Sequence, residues 1–138
     1  MKETIDALKK LPNVRLDEGV IPYSKMHDYF YNALCTILPY ETATQSGVVL
    51  DAYKHSRPAV AFDVGALGEQ IDDGVTGYLA KHGDVGQLET QLRKIIDMPR
   101  EQYEQMCKQS YQKGLDAYSA KSREIEFLNA IGVEEKHK

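Results

Sequence analysis

The chain has 138 residues, of which 42% are hydrophobic and 28% are charged, as expected for one globular domain with a single core. Its formal net charge of −4 and its scattered Lys and Arg residues argue against the basic face that nucleic-acid binding needs. No apolar run approaches the roughly 20 residues of a membrane span, and Met1 to Lys10 is typical of a charged helix rather than of a signal peptide. We therefore expect a cytoplasmic protein without a nucleic-acid partner.

The first predicted elements are a helix, a strand and a second helix. Apolar residues at helical spacing occupy residues 5–11, and Pro12 ends that run. A brief strand is predicted over Val14–Asp17, before a turn at Gly19, and Pro22 opens the second helix. The predicted buried face of that helix consists of Met26, Tyr29, Phe30 and Ala33.

Two unbroken apolar runs in the middle of the chain predict strands of a parallel sheet that is covered on both faces. They are Cys35–Leu38 and Ala59–Phe62, and residues 47–55 between them have a helical pattern. Strand, helix and strand form a βαβ unit of ordinary length. A further strand is predicted at Gly77–Ala80.

The carboxy-terminal part of the chain is predicted to be helical. Gly83 and Asp84 cap a long amphipathic helix that continues through Ile96. The remainder, Arg100–Ile131, has no strand signal, and we predict two helices interrupted near Ser119.

Strands that alternate with helices predict an α/β fold, a Rossmann-like parallel sheet with flanking helices. We assign residues 1–118 to this domain and residues 119–138 to a carboxy-terminal helix and tail. Ligands of such sheets bind beyond the carboxyl ends of the strands. The candidate site therefore lies after Leu38, after Phe62 and around Gly19.

The loop after Leu38 leads to a helix start that suits a phosphate group. Thr44 and Ser46 are natural N-caps, Gly47 permits close approach of a ligand, and a helix N-terminus presents unpaired N–H groups. Asp51, one turn later, could accept hydrogen bonds from a ribose diol. Most helices begin in this way, so spacing alone leaves a plain capping loop and a solvated aspartate as the ordinary interpretation.

No metal site or disulfide is indicated by the cysteine and histidine residues. Cys35 lies in an apolar run and Cys107 in a polar helical segment, without CxxC or Cys/His ligand spacing. The four histidines are dispersed along the chain. We expect no structural metal.

The residues around the helix start resemble the donor-site signature of family 4 retaining glycosyltransferases with the GT-B fold. The resemblance begins with Leu38–Tyr40, Ala43–Val48 and Asp51–Tyr53 and continues in the family's order and spacing through Arg57–Ala61, Asp63–Gly65, Glu69 and Asp73–Leu79. Upstream, Asn13, Val14, Val20–Pro22, Tyr29 and Phe30 are similar to one subgroup of that family. The resemblance covers roughly residues 10–97.

The resemblance implies a site for a nucleotide-diphosphate sugar. In the family a helix start cradles the donor diphosphate, and an acidic residue on that helix, here Asp51, holds the ribose. The donor-binding residues that it implies are Thr44, Gln45, Ser46, Gly47, Val48 and Asp51. The residues that it places beside the nucleobase are Gly19, Val20 and Ile21. The first acidic position of the family pattern holds Ala43, and no catalytic residue is assigned.

The family's carboxy-terminal domain opens with a Gly-rich turn and an Arg/Lys pair, and neither has a match here. We therefore expect the incomplete carboxy-terminal half of a GT-B glycosyltransferase, inactive alone. The implied reaction moves a sugar from a nucleotide-diphosphate sugar to a glycan or lipid-linked acceptor, as in polysaccharide biosynthesis. It needs no metal or other cofactor, and the full-length enzyme could lie at the membrane periphery.

The expected partners are the donor, the missing amino-terminal acceptor domain, and a second copy paired through exposed strand edges. A different class of function stays open: a noncatalytic nucleotide-binding or scaffolding module that keeps a glycosyltransferase-like fold. Another nucleotide-binding α/β domain, such as half of a sugar-nucleotide epimerase, is disfavoured by the loop Ala-Thr-Gln-Ser-Gly at residues 43–47.

Overall fold

The computed structural model describes residues 2–42 and 46–132. Helices and strands alternate through the middle of the chain. In chain order the elements are α1 (Lys2–Lys9), α2 (Tyr23–Tyr31), β1 (Thr36–Leu38), α3 (Gly47–Lys54), β2 (Ala59–Phe62), α4 (Leu67–Gln70), β3 (Gly77–Ala80), α5 (Val85–Ile96) and α6 (Arg100–Ala130).

The described strands form one parallel sheet in the order β1-β2-β3. Thr36 of β1 lies opposite Ala59 of β2, and Val60 of β2 lies opposite Tyr78 of β3. Every residue of β2 is buried, which is why this central strand has the uninterrupted apolar sequence Ala-Val-Ala-Phe. The prediction of an α/β fold with a parallel sheet and flanking helices is confirmed.

Alternate residues of β2 pack into two different hydrophobic clusters, because successive side chains of a strand point to opposite faces. One cluster consists of Leu38, Val49, Tyr53, Ala59, Ala61, Leu67 and Ile71. The other consists of Val60, Ile95 and Met106. Helices α3 and α4 therefore cover one face, and α5 and the first turns of α6 cover the other.

Two glycines allow close approaches that no other residue would permit. A Cβ atom on Gly77 would lie 1.8 Å from the carbonyl oxygen of Ala59, and Gly77 has a φ of +151°. A Cβ atom on Gly114 of α6 would lie 2.9 Å from the Cβ atom of Tyr53 on α3. Glycine at these positions brings β3 against β2, and α6 against α3.

β1 forms one edge of the described sheet. Among the described strands it pairs only with β2, and the Thr36 N–H donates to the Pro58 carbonyl oxygen at 3.0 Å. Backbone groups of a strand alternate in direction, so those of Ile37 face away from β2. The Ile37 side chain is 42% exposed. An apolar strand edge of this kind is open to pairing.

The predicted strand over Val14–Asp17 is wrong. This segment is irregular, and no described strand runs beside it. Side chains tie it to α2 instead: the Tyr29 hydroxyl donates to Asp17 Oδ2 at 2.6 Å, and the Arg15 guanidinium lies 5.7 Å from the centre of the Tyr29 ring. A short segment of alternating apolar residues does not form a strand unless a neighbouring strand hydrogen-bonds to it.

The predicted break near Ser119 is also wrong, because α6 is a single helix from Arg100 to Ala130. Serine lowers helix propensity only modestly, and no Gly or Pro occurs between residues 115 and 130. The assigned boundary between residues 118 and 119 falls inside this helix and stays a prediction.

The face of α2 that was predicted to be buried is only partly so. Phe30 is buried and Met26 is half-buried, whereas Tyr29 is 38% exposed. Ala33 is half-buried but lies beyond the end of the helix at Tyr31. In the described part of the chain, no helix combines the length and the apolar character needed to cross a bilayer.

Candidate functional site

The candidate site lies where the parallel strands end. Because β1, β2 and β3 are parallel, their last residues, Leu38, Phe62 and Ala80, lie at the same edge of the sheet. The chain that leaves β1 there leads into α3. This is the arrangement in which α/β sheets bind ligands.

The start of α3 lies at this edge of the sheet, and no described residue crowds it. The helix begins at Gly47, and Ser46 occupies the N-cap position with extended backbone angles, φ −104° and ψ 121°. Gly47 is exposed, and a Cβ atom added there would meet no described residue within 4 Å beyond its chain neighbours and its own helix. The first N–H groups of a helix have no acceptor within that helix, and they carry a partial positive charge. An anion could approach them closely.

Ser46 is held through its backbone rather than through its hydroxyl. The predicted cap is correct in position, but the Ser46 side chain forms no capping hydrogen bond. Instead the Ser46 N–H donates to Gln70 Oε1 at 2.8 Å, and Gln70 Nε2 donates to the Ser46 carbonyl oxygen at 3.0 Å. Gln70 is a residue that sequence reasoning missed, because a single amide at the end of the short helix α4 leaves no periodic or spacing signal.

Tyr53 fixes the other end of α3 to the same region. Its hydroxyl donates to the Gln70 carbonyl oxygen at 3.0 Å and lies 2.7 Å from Thr76 Oγ1. The Tyr53 proton is engaged by the carbonyl, so the Thr76 hydroxyl is the donor in the second bond, and Thr76 Oγ1 in turn accepts from the Asp72 N–H at 3.0 Å. Burial is the main cause that raises the pKa of Tyr53 from its ordinary value of 10.0 to about 12.

Asp51 lies one turn after Gly47 on α3 and is half-buried. Four residues of helix correspond to about 6 Å along the axis. Its carboxylate forms no hydrogen bond or ion pair with the described residues. Its backbone carbonyl accepts a hydrogen bond from His55 Nδ1 at 2.7 Å. Within residues 2–42 and 46–132, nothing therefore blocks the approach of a ligand to this carboxylate through a hydrogen bond or an ion pair.

The structure describes some of the other predicted site residues, both those for the donor and those beside the nucleobase. Val48 is half-buried in the first turn of α3, whereas Thr44 and Gln45 lie outside the described residues. Gly19 has a φ of +91°, the left-handed conformation expected of the predicted turn, and the following Val20 is 98% exposed. Neither Val20 nor Ile21 forms a hydrogen bond to α3 within the described ranges.

A cleft beside α2 is separate from this site. It has a volume of about 480 Å³ and is lined by Arg15, Asp17, Lys25, Asp28, Tyr29 and Asn32. The Tyr29 hydrogen bond is the main cause that lowers the pKa of Asp17. None of the predicted donor-binding residues that the structure describes lines this cleft. Backbone N–H groups without intrahelical acceptors lie instead at the start of α3.

Arg57, one of the two basic residues nearest in sequence to the loop of α3, binds backbone carbonyls elsewhere. Its Nε donates to the carbonyl oxygens of Phe30 at 3.0 Å and Ala33 at 2.9 Å. Its terminal nitrogens donate to the carbonyl oxygens of Tyr31, His55 and Ser56. This guanidinium therefore caps the carboxyl ends of α2 and α3, opposite the start of α3, and Lys54 lies in the last turn of α3.

Within residues 2–42 and 46–132, no group of three or more His, Cys, Asp or Glu side chains is arranged to hold a metal ion. Cys35 and Cys107 are both free thiols. Burial raises the pKa of the Cys35 thiol to about 11, which keeps it protonated at neutral pH.

Comparison with known proteins identifies the family of this chain. No curated protein sequence matches the chain at the significance required. A family model described as glycosyl transferases group 1 matches residues 1–98, which include every described strand and the start of α3. The chain belongs to the glycosyl transferases group 1 family.

Proposed function

We propose that this chain is the donor-binding part of a retaining glycosyltransferase, similar to family 4 enzymes of the GT-B type. It binds a nucleotide-diphosphate sugar, and in the complete enzyme the sugar passes to a glycan or lipid-linked acceptor. The observation that carries the proposal is the start of α3 at the carboxyl end of the sheet, where no described residue crowds Gly47 or engages the Asp51 carboxylate one turn away.

The start of α3 suits a diphosphate. The backbone N–H groups of Gly47 and Val48 point out of the first turn without intrahelical acceptors. Their partial positive charge favours an anion, and more so as negative charge grows on a departing diphosphate. Thr44 and Gln45, which precede the described start of α3, are proposed to bind the phosphates or the sugar. These backbone donors stabilise the leaving group without a required metal.

Asp51 suits the ribose of the donor. A carboxylate accepts hydrogen bonds only, and a vicinal diol offers two donors. The described contacts leave its oxygens free for such a pair. Gly19, Val20 and Ile21 are proposed to lie beside the base through backbone atoms.

Binding of nucleoside diphosphates tests this proposal directly. We expect UDP or GDP to bind the chain in isothermal titration calorimetry, and Asp51→Ala to weaken that binding by roughly tenfold to a hundredfold, the cost of a charge-assisted hydrogen bond. Asp97→Ala is the matched control, because it removes an exposed carboxylate of equal charge at the far end of α5. Equal affinities for the wild type and Asp51→Ala would remove Asp51 from the site.

Transfer is proposed to require more than these residues. Retaining transfer needs the acceptor hydroxyl held beside the anomeric carbon, and in the GT-B type that surface belongs to an amino-terminal domain. We expect no transfer of radiolabelled sugar from UDP- or GDP-sugars to a membrane extract by this chain alone. Turnover of about 1 per second or more would contradict this.

Adding an amino-terminal GT-B half to the assay distinguishes the glycosyltransferase hypothesis from the hypothesis of a noncatalytic module. Restored transfer supports the glycosyltransferase, which we place in the cytoplasm or at the membrane periphery and assign to polysaccharide biosynthesis. Tight nucleotide binding without transfer would favour the noncatalytic binding or scaffolding module.

A further inference from the structure

We propose that Gln70 is a positioning residue for the donor site: its side-chain amide holds Ser46, and through Ser46 it orients the first N–H groups of α3. This inference rests on the proposed function for its ligand, but the clamp itself is visible without one. It adds to the site a residue that lies 24 positions away in sequence from the loop it holds.

The geometry of the clamp is reciprocal. Gln70 Oε1 accepts from the Ser46 N–H, and Gln70 Nε2 donates to the Ser46 carbonyl oxygen. A primary amide is the side chain that offers one donor and one acceptor in a single plane, so it pairs with both backbone groups of one residue. Ser46 is buried, and Gln70 is half-buried, so water competes little for these bonds.

The position of Ser46 decides the direction of the anion donors. Ser46 is the N-cap of α3, and the peptide that joins it to Gly47 carries the first N–H group of the helix. The Ser46 hydroxyl makes no capping hydrogen bond, so the side chain of Ser46 does not hold the backbone of this residue in place. The described contact that holds it is the Gln70 amide.

Gln70 itself is held on both sides. Its carbonyl oxygen accepts from the Tyr53 hydroxyl, which belongs to the same helix that Ser46 begins. The preceding residue, Glu69, accepts a hydrogen bond at its carbonyl oxygen from Lys113 Nζ on α6, at 3.1 Å. The end of α4 is therefore hydrogen-bonded to α6, to Tyr53 of α3 and to Ser46, the N-cap of α3.

The decisive variant is Gln70→Met, which keeps the length of the side chain and removes both bonds. Gln91→Met is the matched control: Gln91 is a buried glutamine whose Nε2 also donates to a backbone carbonyl oxygen, that of Leu79 at 2.7 Å, away from Ser46. We expect Gln70→Met to weaken UDP or GDP binding by about tenfold, the equivalent of one or two net hydrogen bonds. Gln91→Met should lower the melting temperature while leaving the affinity within about twofold.

Amide hydrogen exchange followed by NMR gives a readout that needs no ligand. We expect the Ser46 amide to exchange at least tenfold faster in Gln70→Met than in Gln91→Met, after correction for the global stability of each protein. Equal exchange of Ser46 in the two variants would overturn the clamp. Failure of wild-type protein to bind any nucleoside diphosphate, with the Ser46 effect present, would refute the proposed function and leave the clamp standing.

A second measurement uses only the wild-type chain, in case Gln70→Met does not fold. The side-chain amide resonances of Gln70 should shift when UDP or GDP is added to saturation, because the loop it binds contacts the ligand. The side-chain amide of Gln91 should not shift. A Gln70 resonance that stays unchanged at saturation would overturn the positioning role.

Discussion

Removal of one hydroxyl, in Tyr53→Phe, tests the link between the core and the start of α3. The Tyr53 side chain is buried, and its hydroxyl makes two hydrogen bonds, to the Gln70 carbonyl oxygen and to Thr76 Oγ1. Each such bond contributes about 0.5 to 1.5 kcal/mol, so the variant should lose about 1 to 3 kcal/mol of unfolding free energy at pH 8. An unfolding entropy of about 2.1 cal/mol/K per residue converts this loss to a fall of roughly 3 to 10 °C in the melting temperature.

The same substitution should change the response to alkali. The pKa of Tyr53 is about 12 in the folded protein against an ordinary 10.0, so the unfolded chain loses the proton first. The hydroxyl therefore contributes stability that is fully present below pH 10 and is lost as pH rises toward 12. The stability gap between wild type and Tyr53→Phe should narrow over that range.

Urea unfolding at pH 8 and at pH 11 measures both effects. Tyr111→Phe is the control, because Tyr111 is 44% exposed on α6 and should change stability by less than about 0.5 kcal/mol. Equal stability of wild type and Tyr53→Phe at pH 8 would refute the assignment of the two bonds. A stability gap that stays constant up to pH 11 would instead refute the raised pKa of the buried hydroxyl.

Three further predictions concern the sheet. Gly77→Ala should lower the free energy of unfolding, measured in urea, by more than about 3 kcal/mol, because its Cβ would meet the Ala59 carbonyl oxygen. A decrease below about 1 kcal/mol would be inconsistent with this contact. The raised pKa of Cys35 should make its alkylation by iodoacetamide at pH 8 at least tenfold slower in the folded than in the urea-unfolded chain, read by mass spectrometry of its peptide. We propose that copies of the chain pair through the open edge of β1, so that the chain sediments as an oligomer and Ile37→Lys makes it monomeric; a wild-type monomer at high concentration would argue against the pairing.

The sequence predicts the centre of this fold well. Ala59–Phe62 and Gly77–Ala80 are strands with the predicted bounds, and β1 is one residue shorter than predicted. Asp84 caps α5 as predicted, accepting from the Gln87 N–H at 2.9 Å. These elements are set by local features, namely unbroken apolar runs and a cap residue directly before an amphipathic helix.

The predictions of secondary structure are wrong where tertiary contacts override the local sequence pattern. Val14–Asp17 has the alternation of a strand, but a strand also needs a neighbour, and this segment instead contacts α2 through Tyr29. Ser119 is compatible with a break, but only geometry shows that α6 continues through it.

Some features of the candidate site could likewise be predicted from the sequence, and others could not. The helix start at Gly47 is readable from the sequence, whereas the clamp by Gln70 is not, because it joins a side chain to the backbone of a residue distant in sequence. The carbonyl contacts of Arg57 are hidden for the same reason.

The close packing of α6 on α3 means that the region of family similarity is smaller than the folding unit. The family match ends at residue 98, yet Met106 and Ser110 of α6 are buried, and Ser110 Oγ lies 3.3 Å from the carbonyl oxygen of Thr76 in the matched region. A protein shortened to the matched region would lack α6, and the apolar surfaces of α3 and β2 around Tyr53 and Val60 would be exposed to solvent. The boundary of the family match is therefore a poor guide for designing truncated variants. Variants shortened from the carboxyl end should retain the residues up to and including Gly114.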